Sequence, residues 1–265
     1  MSARVKVWVV VGLAAMSAAG TVVGVTLATR SDVQPQSSKP PPFAADPTAR
    51  PEVAQQVREA LKAWPAGTAR RLRILAARYP HSALVQLELG LALALSGQQA
   101  DALRAWQAAE RVQPDSPSAV RAQDLRHPGS APGVPPFVPS FTQATNVVQA
   151  HLLRGSAYQQ ALRPVSAERE FLAAVQAAPK DPEALTAAAV GRYDKDRPAL
   201  AFSQLGPLSR RFPHAQTVRF HLGLLLIYFG DIARARRELA IARAQGPRTL
   251  LGERAAILLK AGRKP

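Results

Sequence analysis

SALVQLELGLALALSGQQADALRAWQAAERVQPD, residues 82–115, decides the fold. It reads as two short amphipathic helices joined at Ser96-Gly97-Gln98. The first carries Leu89-Gly90 and then Leu93; the second carries Ala102, Trp106 and Ala109, and Pro114 closes the unit. Gly90 and Ala102 place little or no side chain where two antiparallel helices cross, so the backbones can approach closely. Leu93, Trp106 and Ala109 fill the space beside the crossing. Pro114 ends the second helix because it has no N–H to donate.

The pattern recurs in phase, which abundant Ala and Leu alone would not produce. Unit ends fall at Pro80, Pro114, Pro179, Pro213 and Pro247; three of the four intervals are 34 residues and the remaining one is longer by 31. The small residue of the second helix returns as Ala167, Ala201 and Ala235, and the large one as Phe171, Leu205 and Leu239. The close-approach position of the first helix returns as Gly155, Ala189 and Gly223. This arrangement resembles the tetratricopeptide repeat, with its Trp-x2-Leu-Gly-x2-Tyr, Ala-x3-Phe and terminal Pro over about 34 residues. The match is good over 82–115 and 216–249, and 148–181 fits although Arg154 replaces the usual Leu. It is weaker over 182–215, where Arg192 replaces an aromatic, and degenerate over 49–81, which keeps Leu72, Leu75 and Pro80. The resemblance implies an all-α fold, a right-handed α-solenoid of helix pairs over 51–265, whose usual task is to hold a partner segment. The helix 250–261 would cap its open end, with Glu253, Arg254 and Lys260 facing water.

Upstream, VWVVVGLAAMSAAGTVVGVTLAT (7–29) is uncharged and long enough to cross a bilayer. Arg4 and Lys6 precede it, favouring a cytoplasmic N-terminus over 1–6 and an extracytoplasmic C-terminal part, on a bacterial cell membrane. A cleaved signal peptide ending at Thr26-Leu27-Ala28 is the rival reading. Gly20 and Gly24 form a G-x3-G pair, which in so Gly- and Ala-rich a segment reads as coincidence. Residues 30–50, rich in Pro, Ser, Gln and Lys, read as an extended tether. Thr68 is the expected N-cap of a helix over 70–79.

The second break in pattern is an insertion over 116–147. Its first part is expected to continue as a helix through Leu125, but 127–141, HPGSAPGVPPFVPSF, cannot be helical. Loops this long inside compact arrays are often functional or disordered. Phe137, Val138 and Phe141 are apolar residues held among prolines. One expectation is that they fold back over Leu84, Leu87, Leu91 and Leu95, completing or occupying a site there; the other is a disordered spacer.

Chemistry is sparse. There is no cysteine, hence no disulfide and no thiolate. His81, His127, His151, His214 and His221 are scattered without metal-ligand spacing, and no nucleophile elbow, P-loop or dinucleotide fingerprint is present. No cofactor, metal or catalytic residue is therefore expected, which argues against a hydrolase. Function falls to the concave surface that the resemblance assigns to the first helices: Leu84, Leu87, Leu91 and Leu95, the more polar Gln149, Leu152, Ser156, Gln159, Gln160, Thr186, Tyr193 and Asp194, and Phe220, Leu224, Ile227 and Tyr228. Apolar side chains there suit an apolar or amphipathic peptide partner; packing against neighbouring units or the insertion is the alternative. The Lys and Asn constellation with which some relatives grip a terminal carboxylate is not evident. The net charge of +16 opens a second class, a basic module docking on anionic lipid or, with less support, nucleic acid, since no basic run is interleaved with aromatics.

Overall fold

The computed structural model describes residues 39–261, and all regular structure among them is α-helical: twelve helices and no strand. The expected membrane segment 7–29 lies outside the described residues. Within them, no helix is long and apolar enough to cross a membrane. The chain divides after Pro128 into two compact units.

The N-terminal unit contains α1 (Pro51–Leu61), α2 (Thr68–Arg78), α3 (Ala83–Leu95), α4 (Gln99–Val112) and α5 (Pro117–Arg126). Each helix packs on the next, and α3 also packs on both α1 and α5. That central position explains the sequence of α3, which is apolar nearly all round and buried on most sides, whereas α4 buries only Ala102, Ala105, Trp106 and Ala109. Ser82 and Ser116 cap α3 and α5 by accepting from the Val85 and Ala119 N–H groups. The turn between α3 and α4 needs Gly97, whose φ is +79°. Thr68 is not the N-cap of α2: Gly67 holds that place, and Thr68 is the first helical residue. Its hydroxyl is fully buried between α1 and α2, so it donates to the Ala60 carbonyl (3.2 Å) instead of capping its own helix.

The C-terminal unit begins with an extended segment and continues through α6 (Val147–Gln160), α7 (Pro164–Ala177), α8 (Pro182–Gly191), α9 (Ala199–Arg211), α10 (Gln216–Phe229), α11 (Ile232–Gln245) and α12 (Leu250–Ala261). Sequential neighbours pack together, and α6, α8, α10 and α12 also pack on one another in that order. The first helices thus form a continuous packed row, each with the second helix of its pair against it. Asn146, Asp181 and Asp231 cap α6, α8 and α11. On α12, Leu251 and Ala255 face inward while Glu253, Arg254 and Lys260 are exposed.

The periodic residues occupy the crossings. Ala102, Ala167, Ala201 and Ala235, with Trp106, Phe171, Leu205 and Leu239, are all at most 1% exposed. A Cβ on Gly90 would clash with the edge of the Trp106 ring, and one on Gly155 with the edge of the Phe171 ring. On Gly223 it would lie 2.7 Å from Leu239 Cγ. The glycines are required by space at these positions, because a large side chain of the second helix fills the volume a Cβ would need.

Candidate functional site

In the C-terminal unit, α6, α8 and α10 form a groove, and residues 134–139, free of helix, turn and bend, run along it between the bend at 132–133 and the one at Ser140. Phe137 is 1% exposed. It meets Phe171 edge to face (centroids 5.3 Å apart) and stacks on the His221 ring (4.8 Å). Phe171 reaches it from α7 beside Gly155, whose lack of a side chain opens that space. Val138 is buried in the same cluster, together with Leu152, Tyr193, Phe220, Leu224, Ile227 and Tyr228, and Phe141 packs half-buried against it.

The backbone of this segment is held by side chains. The Phe137 N–H donates to Gln159 Oε1 (2.7 Å), the Val138 N–H to His221 Nε2 (2.9 Å) and the Ser140 N–H to Glu183 Oε1 (2.6 Å). Since Pro135, Pro136 and Pro139 have no N–H, every backbone donor from 135 to 140 is satisfied by a groove side chain. Ser156 Oγ donates to the Phe137 carbonyl (3.0 Å), Gln159 Nε2 to the Pro135 carbonyl (3.4 Å) and Ser140 Oγ to Glu183 Oε2 (2.8 Å). His221 Nδ1 lies 2.7 Å from the Thr217 carbonyl, which only accepts. The proton therefore sits on Nδ1 and leaves Nε2 as the acceptor. Burial of the ring brings its pKa down to about 4, so it is neutral in this role, and burial raises the Glu183 carboxyl.

The N-terminal unit carries a second such arrangement. Residues 39–46 pack along the unit rather than standing off as a tether, correcting the expectation for the later part of 30–50. Pro41, Ala44 and Asp46 are buried, and Ala44 belongs to the apolar cluster of Leu84, Leu87 and, at its edge, Leu91. The Ala44 N–H donates to Glu88 Oε1 (2.6 Å). Phe43 lies under the Arg58 guanidinium at 4.5 Å. Asp46 accepts from the Ser118 N–H (3.1 Å) and hydroxyl (2.5 Å), in the first turn of α5, and from the Thr48 N–H (2.8 Å). Glu88 is fully buried. That burial, only partly opposed by the Ala44 N–H and the Arg121 charge, pushes its pKa up to about 7.

These contacts place the expected groove residues. Leu84, Leu87, Leu152, Phe220, Leu224, Ile227 and Tyr228 are buried and Tyr193 nearly so, while Leu91, Leu95 and Gln149 are half-buried. All but Leu95 and Gln149 belong to the apolar clusters of their own units, which also take in residues of the two proline-rich segments. Within its own unit the insertion docks Phe137 and Val138 on α6 and α10, because the acceptors for their N–H groups, Gln159 and His221, are there. Glu88 and Glu183 carry no motif, and sequence reasoning misses both. Glu88 alone has a signal, as the one charge within a helix that is apolar but for Gln86. Among the described residues, no three His, Asp or Glu side chains are grouped to hold a metal ion. The arrangement can bind and orient extended polypeptide through hydrogen bonds and apolar contacts. Comparison of the chain with models of known families and with curated proteins finds no match.

Proposed function

We propose that this protein is a non-catalytic holder of extended polypeptide segments, a scaffold or chaperone-like binder tethered to the cell membrane. In this reading it is a right-handed α-solenoid of tetratricopeptide-like helix pairs, anchored through 7–29 with its helical part outside the cytoplasm. The partner lies on the concave side, along the first helices. One observation carries the reading: a groove whose buried Gln159 and His221, with Glu183 beside them, take up every backbone N–H from 135 to 140. Side chains that satisfy a segment's backbone in this way recognise a conformation as well as a sequence. The in-phase helix crossings support the family resemblance, and the uncharged 7–29 run supports the anchor.

The net charge of +16 supports a second reading, a basic adhesion module on anionic lipid or nucleic acid. Salt separates the two, because apolar and backbone contacts in a groove are little screened while charge docking weakens steeply. A photo-crosslinking amino acid at Gln160, exposed beside Gln159 on α6, tests this in membranes prepared from intact cells. Discrete protein adducts that persist from low to high salt are expected. Adducts that disappear with salt, or that consist of lipid or nucleic acid, would replace the first reading with the second.

A further inference from the structure

The two docked segments share a sequence. Pro41-Pro42-Phe43-Ala44 and Pro135-Pro136-Phe137-Val138 each present two prolines, a phenylalanine and a small aliphatic residue. They also share a hydrogen bond. The residue after the phenylalanine donates its N–H to a buried side chain two positions before the crossing glycine: Glu88 before Gly90, and His221 before Gly223. The equivalent positions before Gly155 and Ala189 hold Leu153 and Ala187, which cannot accept. Of these four helix positions, the two that carry an accepting side chain are the two that take the N–H of the residue after a Pro-Pro-Phe.

We infer that the groove of the C-terminal unit is a reader of extended Pro-Pro-Phe-aliphatic segments, and that residues 134–141 are a built-in occupant exchangeable for a partner polypeptide with the same chemistry. The inference rests on the proposed holding function and names its partner class. Three features support exchange. The occupant's flanks reach exposed chain, at Pro128 and Gly129 ahead of the buried Ala131 on one side and at 142–146 on the other. α6 is capped by its own Asn146, and α5 ends at Arg126, so the segment can leave without unwinding a helix. The prolines pre-extend any segment of this kind, so one arriving from a partner gives up little conformational freedom. A tethered occupant competes at an effective concentration on the order of millimolar, which sets the threshold a partner must overcome.

The test uses the full-length chain in detergent and a fluorescent synthetic peptide with the sequence of 134–141, VPPFVPSF. Phe137→Ala weakens the built-in occupant and leaves the groove intact. Fluorescence anisotropy should show the peptide binding this variant at least about tenfold more tightly than the unaltered chain. A peptide with alanine for phenylalanine should not bind, and adding His221→Leu to Phe137→Ala should abolish binding. A second measurement needs no variant. Excess peptide added to the unaltered chain should speed hydrogen exchange at the Phe137, Val138 and Ser140 amides while α10 stays protected. Absence of binding to a Phe137→Ala chain that remains helical overturns the inference. If that variant does not fold, unchanged exchange in the unaltered chain overturns it equally. Should either occur while salt-resistant protein adducts still form at Gln160, this partner class falls and the holding function stands.

Discussion

Replacing Glu88 by Gln should stabilise the protein, and increasingly so as pH rises. Glu88 is fully buried, its Oε1 accepts from the Ala44 N–H, and its Oε2 has no hydrogen-bond partner among the described residues. Burial raises its pKa from 4.5 to about 7. The folded chain thus holds a proton that the unfolded chain releases near pH 4.5. The associated stability is fully present below that pH and is lost as pH rises through about 7. At about 1.4 kcal/mol for each tenfold change in proton affinity, ionisation of Glu88 costs about 3 kcal/mol above pH 8. Glutamine keeps the acceptor for Ala44 and leaves one polar group unpaired, as the protonated acid does, but it cannot ionise. Variant and parent should therefore melt together near pH 4.5 and diverge by roughly 5–10 °C at pH 8.5, for a chain of this size. Thermal unfolding followed by circular dichroism across that range measures the difference. If the gap does not widen between pH 5 and 8, Glu88 is ionised in the folded protein and the account of its burial is wrong.

Other outcomes follow from the same contacts. His221 behaves oppositely: its folded pKa of about 4 lies below the ordinary 6.5, so stability should fall as pH drops from 6.5 to 4, and His221→Gln should remove that slope in the same melts. Gly155→Ala drives a methyl group against the edge of the Phe171 ring and should cost about 1–3 kcal/mol by overpacking; an unchanged melting temperature would mean the α6–α7 crossing is misplaced. Ala235→Trp should cost at least as much at the α10–α11 crossing, where Ala235 is 1% exposed. Finally, the uncharged 7–29 run predicts that the protein stays with membranes after alkaline wash and that residues beyond it are open to protease from outside spheroplasts; protection there would reverse the orientation.

The helix pairs are legible in the sequence because their determinants are local and periodic. Gly90 and Trp106, or Gly155 and Phe171, lie 16 residues apart on consecutive helices, and a crossing that excludes side chains from one helix must supply bulk from the other. Phase alone therefore identifies which residues meet. The same logic locates the capping helix and the break after α4. Extended segments have no such period. Phe137, Val138 and the run of prolines can be recognised as a segment ready to dock, but not where it docks. Val138 finds its acceptor on His221, 83 residues later, and Ala44 finds Glu88, 44 residues later. Neither pairing leaves a trace in spacing. The leucine line of α3 reads equally as groove or as packed core, because amphipathicity separates buried from exposed faces but cannot identify what covers a buried one. Only the tertiary structure, by closing the hydrogen bonds of Ala44, Phe137, Val138 and Ser140 on distant side chains, decided that two proline-rich stretches are part of the units they cover. The physical reason is that a buried N–H must find an acceptor, and in an extended segment that acceptor comes from another part of the fold.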